Sequence, residues 1–347
     1  MADERPMTEP PYWANRSSAM YHQPVMPREV LEYLKPVSGV IIDACLGGGG
    51  HARSILEALA ASNEREPGRT ASDGRERPTA QRDDGQGRDR RPFGLLGIDC
   101  DPEALASAKR QLCDFNNVET VHATYADLPA LVRELAYAAP VRQWGLGPVT
   151  GVLFDFGASL YQLLSGPRGF AIDADGPIDM RFDQTAETPT ALDLIRSSSE
   201  VTLRDWFRAY GQEPMSGRAA RVIHERRREL ATTGDLVRAV MDAVPARFAR
   251  KSLARVFQAL RIVTNHEIEN IRQGLAAALE VLVPTGRLVA LSYQSLEDKE
   301  VKQFLRAGRV AGKLRLLTSK PVRPSLEEVA QNPRSRSARL RAAEVIS

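Results

Sequence analysis

The feature that most restricts this chain is an apolar run, Gly39-Val-Ile-Ile-Asp43, that ends on a carboxylate and meets four glycines at residues 47–50. A short run rich in β-branched residues reads as a strand buried on both faces. Residues 51–60 follow with helical spacing through Ile55, Leu56 and Leu59. A strand, a glycine loop and a helix in that order let backbone approach a ligand and aim the helix's first N–H groups at it. The segment Gly47-Gly-Gly-Gly-His51-Ala52 also satisfies the G-x-G-x-x-A form of the dinucleotide fingerprint. By itself the loop serves a nicotinamide or an adenosyl cofactor equally well.

The alternation continues. Pro27 to Leu34 reads as a helix. Residues 93–99, 118–122 and 151–155 read as strands, and Asp101-Pro102 is a helix start, an N-cap followed by proline at the first helical position. Apolar strands alternating with helices predict an α/β fold with a doubly wound, Rossmann-like parallel sheet. Residues 63–92 interrupt this pattern with Gly, Pro, Arg and Asp and almost no apolar side chains. Such a segment cannot bury enough surface to offset its ordering entropy and is expected to be a disordered insertion. Asp99 lies 52 positions beyond Gly47. Without the insertion the spacing becomes the ~20 at which a carboxylate after the second strand holds ribose hydroxyls. The competing reading of Asp99 is a turn residue before the helix.

Residues 165–263 are mostly helical, with amphipathic segments near 190–195, 203–210, 218–229 and 236–244, and strand character returns at 286–292. The expected organisation is a flexible N-terminus at 1–21, an α/β domain formed by 22–164 and 264–347, a helical domain inserted at 165–263, and a basic C-terminal tail. No apolar run approaches the ~18 residues of a membrane span. Three cysteines without CxxC spacing suggest neither a disulfide framework nor a zinc site, so a cytoplasmic location and no metal are expected. The net charge of +3 excludes little, but basic runs at 218–228, 247–251 and 334–341 suggest a phosphate-binding surface over the alternative of solvated helix faces.

Phe154-Asp155-Phe156-Gly157 closes an apolar strand, at the sheet edge where doubly wound folds bind ligands. A carboxylate there can accept a hydrogen bond from an amine about to be alkylated, favouring pyramidalisation and later proton loss. Alkylation of this kind needs alignment, a polar positioning group and exclusion of water. The competing role for Asp155 is capping the next turn.

Together these blocks resemble the bacterial 16S ribosomal RNA cytosine-N4 methyltransferases, which act on cytosine 1402 of the decoding centre. The resemblance runs from His22-Gln-Pro-Val to the C-terminus, interrupted by residues 63–92. It rests on Asp43-Ala-Cys-Leu-Gly-Gly-Gly-Gly-His51, Gly97-Ile-Asp99-Cys-Asp-Pro102, Asp155-Phe-Gly157, Arg168-Gly-Phe170 and Asp175-Gly-Pro-Ile-Asp-Met-Arg181. Phe257-Gln-Ala-Leu-Arg-Ile262, Ser295-Leu-Glu-Asp298, Lys320-Pro-Val-Arg-Pro-Ser325 and Asn332-Pro-Arg-Ser-Arg-Ser337 complete it.

The resemblance implies a class I methyltransferase fold, S-adenosylmethionine as methyl donor and 16S rRNA in the small ribosomal subunit as partner. It leaves a homodimer open. It places Gly49, Gly50 and His51 on the cofactor, Asp99 at its ribose, Tyr125 beside the adenine, and Asp155 and Gln162 near the methionine end and the target base, with Asp155 catalytic. Gln294 and Lys251 stand where relatives carry histidines. The rival readings are an NAD-dependent oxidoreductase, an enzyme methylating DNA amines, and a methyltransferase-fold rRNA-binding assembly factor without activity. No derivation accounts for the Asp175 to Arg181 block beyond a rigid turn.

Overall fold

The computed structural model describes residues 23–36, 38–64, 93–135 and 147–346. The expected flexible N-terminus, the His22 end of the resemblance and residues 65–92 of the insertion lie outside the described residues. Helix α1 (Pro27–Leu34) leads into β1 (Gly39–Asp43), which is buried along its whole length, then α2 (Gly50–Glu64). Helix α2 therefore runs through residues 63 and 64, which had been assigned to the insertion. Next come β2 (Phe93–Asp99), α3 (Pro102–Gln111), β3 (Val118–His122), a 3-10 turn (Tyr125–Asp127) and α4 (Leu128–Leu135). Strand β4 (Val149–Asp155) and the short helix α5 (Leu160–Leu164) close the first half.

Helices α6 (Ala191–Ser197), α7 (Glu200–Ala209), α8 (Ser216–Arg226), α9 (Thr233–Ala243) and α10 (Ala246–Thr264) follow. Helix α11 (Glu267–Val281) returns the chain to β5 (Leu282–Ser292). The last part comprises α12 (Ser295–Val310), β6 (Leu314–Leu316), α13 (Leu326–Gln331), a 3-10 turn (Pro333–Ser337) and β7 (Arg339–Val345).

Seven strands form one sheet in the order β3-β2-β1-β4-β5-β7-β6. The first five are parallel, and β7 runs antiparallel between β5 and β6. Two apolar clusters line opposite faces of this sheet. One is built around Ile42, Val152, Phe154 and Leu275, the other around Ile41, Leu56, Leu153 and Leu340. Neighbouring residues of a strand enter different clusters, as the period of two requires. A third cluster, including Phe170, Ile195, Phe207, Ile223, Val240 and Leu260, belongs to α6 to α10 and the segment before them.

The basic tail expected at the C-terminus is instead part of this sheet. The side chains of Arg341 and Glu344 are nearly buried in β7. Arg341 donates to Asp298 of α12 at 2.7 and 3.2 Å, and Glu344 takes Arg287 of β5 at 2.6 Å and also pairs with Arg315. Partners this distant in sequence neutralise a strand that reads as a charged tail when taken alone. The other two basic runs are partly neutralised as well: Arg226 pairs with Asp242 at 2.6 Å and Arg250 with Asp173 at 2.6 and 2.9 Å.

The unexplained Asp175 to Arg181 block is a clasp. Asp175 accepts from Gly234 N–H at 2.8 Å, and the Gly176 carbonyl accepts from Thr233 N–H at 2.8 Å, so the block caps the start of α9. Gly176 packs so closely that a Cβ would lie 2.0 Å from the Gly166 carbonyl oxygen. Arg181 is held by both oxygens of Asp179, and Asn265 bridges the Met180 carbonyl and the Phe182 N–H at 2.7 Å each. The clasp thereby ties the helical segment to the end of α10. No described helix is long and apolar enough to cross a membrane.

Candidate active site

The C-terminal ends of β1, β2 and β4 open on a cleft of about 660 Å³. Gly47 and Gly49 have φ of 52° and 87°, a backbone region that glycine enters without steric cost and that turns the loop back over β1. Gly47 N–H donates to Asp99 Oδ2 at 2.8 Å, so the acid after β2 also fastens the glycine loop after β1. Gly47, Gly48, Gly50 and His51 line the cleft. Gly49 is not among the lining residues. It faces α3, where a Cβ would sit 3.4 Å from Ala108 and Leu112, so its missing side chain serves helix packing.

Asp99 lines the cleft with both oxygens engaged by main-chain N–H groups, from Gly47 and from Asp101 at 2.9 Å. A carboxylate has about four acceptor positions, so each oxygen can take a further donor such as a ribose hydroxyl. Burial pushes the Asp99 carboxyl up to about 6 against the opposing pull of those N–H groups. Asp101 is the N-cap of α3, and its other oxygen receives Gln162 Nε2 at 2.7 Å and Arg168 Nη1 at 2.8 Å. Gln162 Oε1 in turn accepts from Ser159 N–H at 2.9 Å. Gln162 therefore borders the cleft as a brace between the loops after β2 and β4. Asp101, read from the sequence only as a helix cap, and Arg168, part of the Arg168-Gly-Phe170 block, complete this brace.

Tyr125 lies edge-on to Phe154 and Phe156, with centroids 5.6 and 6.0 Å away. Gly274 of α11 makes room for the ring, since a Cβ there would fall 2.4 Å from Cδ2 of Tyr125. At the end of β4, Asp155 remains 24% exposed, enough for a substrate group to reach it. Its Oδ1 accepts from Tyr293 Oη at 2.7 Å, and its Oδ2 lies 3.6 Å from His51 Nδ1. Arg334 also lines the cleft, and its charge favours ionised Asp155, while burial, the larger effect, raises that carboxyl.

Behind this group lies a buried charge cluster. Arg261 makes a bidentate pair with Glu267 at 2.7 and 2.9 Å, and Glu297 Oε1 sits 3.7 Å from the same guanidinium. Glu297 Oε2 accepts from the N–H groups of Tyr293 and Gln294 at 2.8 and 3.1 Å, which fixes the turn carrying Tyr293. Gln294 lines the cleft, whereas Lys251 lies exposed on α10 and does not. Tyr293 and Arg334 are cleft residues with no individual role in the sequence reading: Arg334 stands within the basic run at 334–341, and Tyr293 directly precedes the departure at Gln294.

Two buried carboxyls and the half-buried Asp99 give the ligand-free protein an unusual pH response. Burial raises Asp43 to about 7 and Glu297 to about 7, alongside Asp99 at about 6. A carboxyl raised on folding contributes stability below its unfolded pKa, and that contribution is lost as pH climbs through the folded value. The described aspartates shifted downward act below their ordinary value of 3.8, outside this window. The melting temperature should therefore fall between pH 5 and pH 8 in differential scanning calorimetry. A flat or rising profile would show that these carboxyls are ionised without cost.

A parallel sheet carrying an antiparallel strand between its last two positions, with a glycine loop after the first strand and acids after the second and fourth, defines a class I S-adenosylmethionine-dependent methyltransferase. Dinucleotide folds build a mostly parallel sheet, in the classic order 3-2-1-4-5-6 without such an inserted strand, around the same kind of loop. Residues 88–346 match the family described as the MraW methylase family. The chain is 42% identical over 339 residues to a ribosomal RNA small subunit methyltransferase H from Thermotoga neapolitana, covering 95% of this chain and 98% of that one. It is 38% identical over 331 residues to the protein of that name from Pseudothermotoga lettingae, covering 93% and 98%, and 39% over 346 residues to that from Thermomicrobium roseum, covering 94% of each. The chain belongs to the MraW methylase family.

Proposed function

We propose that this chain methylates the N4 amine of cytosine 1402 in 16S rRNA of the small ribosomal subunit, with S-adenosylmethionine as donor. The observation that carries the reading is Asp155, a partly exposed carboxylate at the end of β4, held beside the glycine loop and Asp99 in one cleft. The donor set suits the cofactor. Gly47, Gly48, Gly50 and His51 would hold its methionine end and Asp99 its ribose. Tyr125 would flank the adenine. When bound, the cofactor supplies an electrophilic methyl group on a sulfonium.

Asp155 accepts a hydrogen bond from the exocyclic amine, drawing its lone pair out of conjugation, and afterwards takes the proton the amine must lose. Such positioned proton acceptance contributes about 10²–10⁴-fold. The Gln162, Asp101 and Arg168 brace holds the walls at fixed separation. We assign the catalytic domain to residues 22–164 and 264–347, with a helical domain inserted at 165–263. This substrate places the protein in the cytoplasm.

The test is transfer of labelled methyl groups to small subunits that lack native methylation, with the product nucleoside identified by mass spectrometry. N4-methylcytidine is expected. Subunit and cofactor binding without transfer would support the assembly-factor reading instead. The variant Asp99→Ala should weaken cofactor binding roughly 10- to 150-fold, the loss of hydrogen bonds to a charged group. An unchanged dissociation constant in calorimetry would contradict the ribose assignment.

A further inference from the structure

Asp155 is flanked by two groups, Tyr293 and His51, to which the reaction above gives no part in the proton transfer. Tyr293 follows β5, and its hydroxyl donates to Oδ1 of Asp155 at 2.7 Å. His51, at the start of α2, contacts Asp155 from the other side: Nε2 lies 2.9 Å from the Val25 carbonyl oxygen, and Nδ1 is 3.6 Å from Asp155 Oδ2. A carbonyl only accepts, so Nε2 carries a proton. In the neutral ring Nδ1 is then a bare lone pair directed at Asp155. The two oxygens are thus unlike. One is occupied by a hydroxyl donor, and the other borders a second proton acceptor.

We propose that Tyr293 is a positioning residue for methyl transfer, turning Asp155 so that Oδ2 receives the amine proton and His51 Nδ1 stands next to take it. The inference rests on the methylation reading above. The N4 lone pair forms the new N–C bond while the S–C bond breaks, its electron pair staying on sulfur. The nitrogen, left positive, gives one proton to Oδ2. That proton moves to Nδ1, and the resulting imidazolium faces the restored carboxylate. No other reactant is needed.

The neighbours of Asp155 set the sign of any pH effect. They are His51 on α2, Asp43 and Cys45 at and after the end of β1, Tyr293 after β5, and Arg334 in the turn before β7. Burial raises the carboxyl; a cationic His51, which the ring becomes only on taking the proton, the Tyr293 hydroxyl and Arg334 oppose it. Burial also raises the Tyr293 phenol well above its ordinary value, so the hydroxyl stays a donor. Removing the hydroxyl makes Asp155 easier to protonate and shifts the acid limb of the rate profile to higher pH.

The experiment compares wild type with Tyr293→Phe, which keeps the ring, on undermethylated small subunits. Single-turnover rates should fall about 10- to 100-fold, as for loss of a hydrogen bond to a charged group. The KM for subunits and the cofactor dissociation constant should change less than about 3-fold, within the scatter of small local effects. The acid limb should move up in pH. An unchanged rate and profile, or a rise in KM alone, would overturn the proposal.

A second readout needs no turnover. In protein labelled with carbon-13 at the tyrosine ζ position, the Tyr293 signal, identified by its loss in Tyr293→Phe, should move on Asp155→Asn. It should also titrate with Asp155 in wild type. A signal indifferent to both would overturn the contact. If wild type transfers no methyl group to the subunit, the methylation reading fails, while the NMR result still decides whether Tyr293 governs Asp155.

Discussion

Asp155→Ala should lower the single-turnover rate at least about 100-fold, the lower bound for a positioned proton acceptor. It should leave cofactor affinity nearly intact. The separation of effects follows from position. In the proposed reading glycine-loop main chain and Asp99 hold the cofactor, and neither depends on Asp155: Asp99 is fixed by Gly47 and Asp101, and the loop by the Gly49 N–H bond to the Leu46 carbonyl. The variant removes the acceptor for the Tyr293 hydroxyl, but that hydroxyl sits in a cleft that water can enter, so folding should survive. Calorimetric titration with the cofactor beside rapid-quench transfer to small subunits gives both numbers. Equal loss of binding and rate would make Asp155 a cofactor ligand or a structural residue.

Arg261→Met should cost about 3–5 kcal/mol of stability near neutral pH, as when one member of a buried ion pair is removed. The guanidinium is 9% exposed, and it is the cation within reach of two carboxylates, Glu267 and Glu297, that are 6% and 2% exposed. Methionine fills much of the volume, so the loss is electrostatic rather than a cavity. Urea denaturation of both proteins measures it. Adding Glu267→Gln to the variant should recover part of the stability, because one uncompensated charge disappears. A loss below about 1 kcal/mol would show that both carboxyls protonate in the folded variant at little cost. The penalty should also shrink as pH falls towards 5, where Glu297, already raised to about 7, is protonated.

Much of the fold was readable where local and global preferences agree. The strand at 39–43, the glycine loop and the Asp101-Pro102 helix start are each decided by residues within one turn of chain. The structure places their boundaries as expected. The helical segment was visible from its amphipathic spacing, with ends misplaced by a few residues where capping residues such as Thr190, Ser199 and Thr232 begin each helix. Strand β7 was not readable. Arg339, Arg341 and Glu344 look like a solvated tail until Asp298, Arg287 and Arg315 are brought beside them by chain folding.

The site divides in the same way. Asp99, Asp155 and His51, which lie in sequence motifs, stand in one cleft with Tyr125, which entered only through the family resemblance. Gly49 sits in the glycine motif and Gln162 entered only through the family resemblance; the first packs against α3, and the second borders the cleft while bracing two loops. A motif marks a neighbourhood in sequence and does not say which way each member points. Tyr293 shows the converse. It meets Asp155 across 138 positions, and no local pattern carries that pairing.

The interleaved sheet has a consequence for synthesis. Strand β5, which borders β4 at the cleft, follows the entire helical segment in the chain, and β7, wedged between β5 and β6, is the last strand made. As the polypeptide leaves the ribosome, the compact helical unit with its own apolar cluster can settle first, because its contacts lie within about one hundred consecutive residues. The catalytic half must wait. Its central strands gain their far neighbours, and Asp155 gains Tyr293 and Arg334, only when nearly all of the chain has emerged. Partly made chains would thus carry the glycine loop and the β4 acid without a finished cleft, and methyl transfer would begin only with full-length protein.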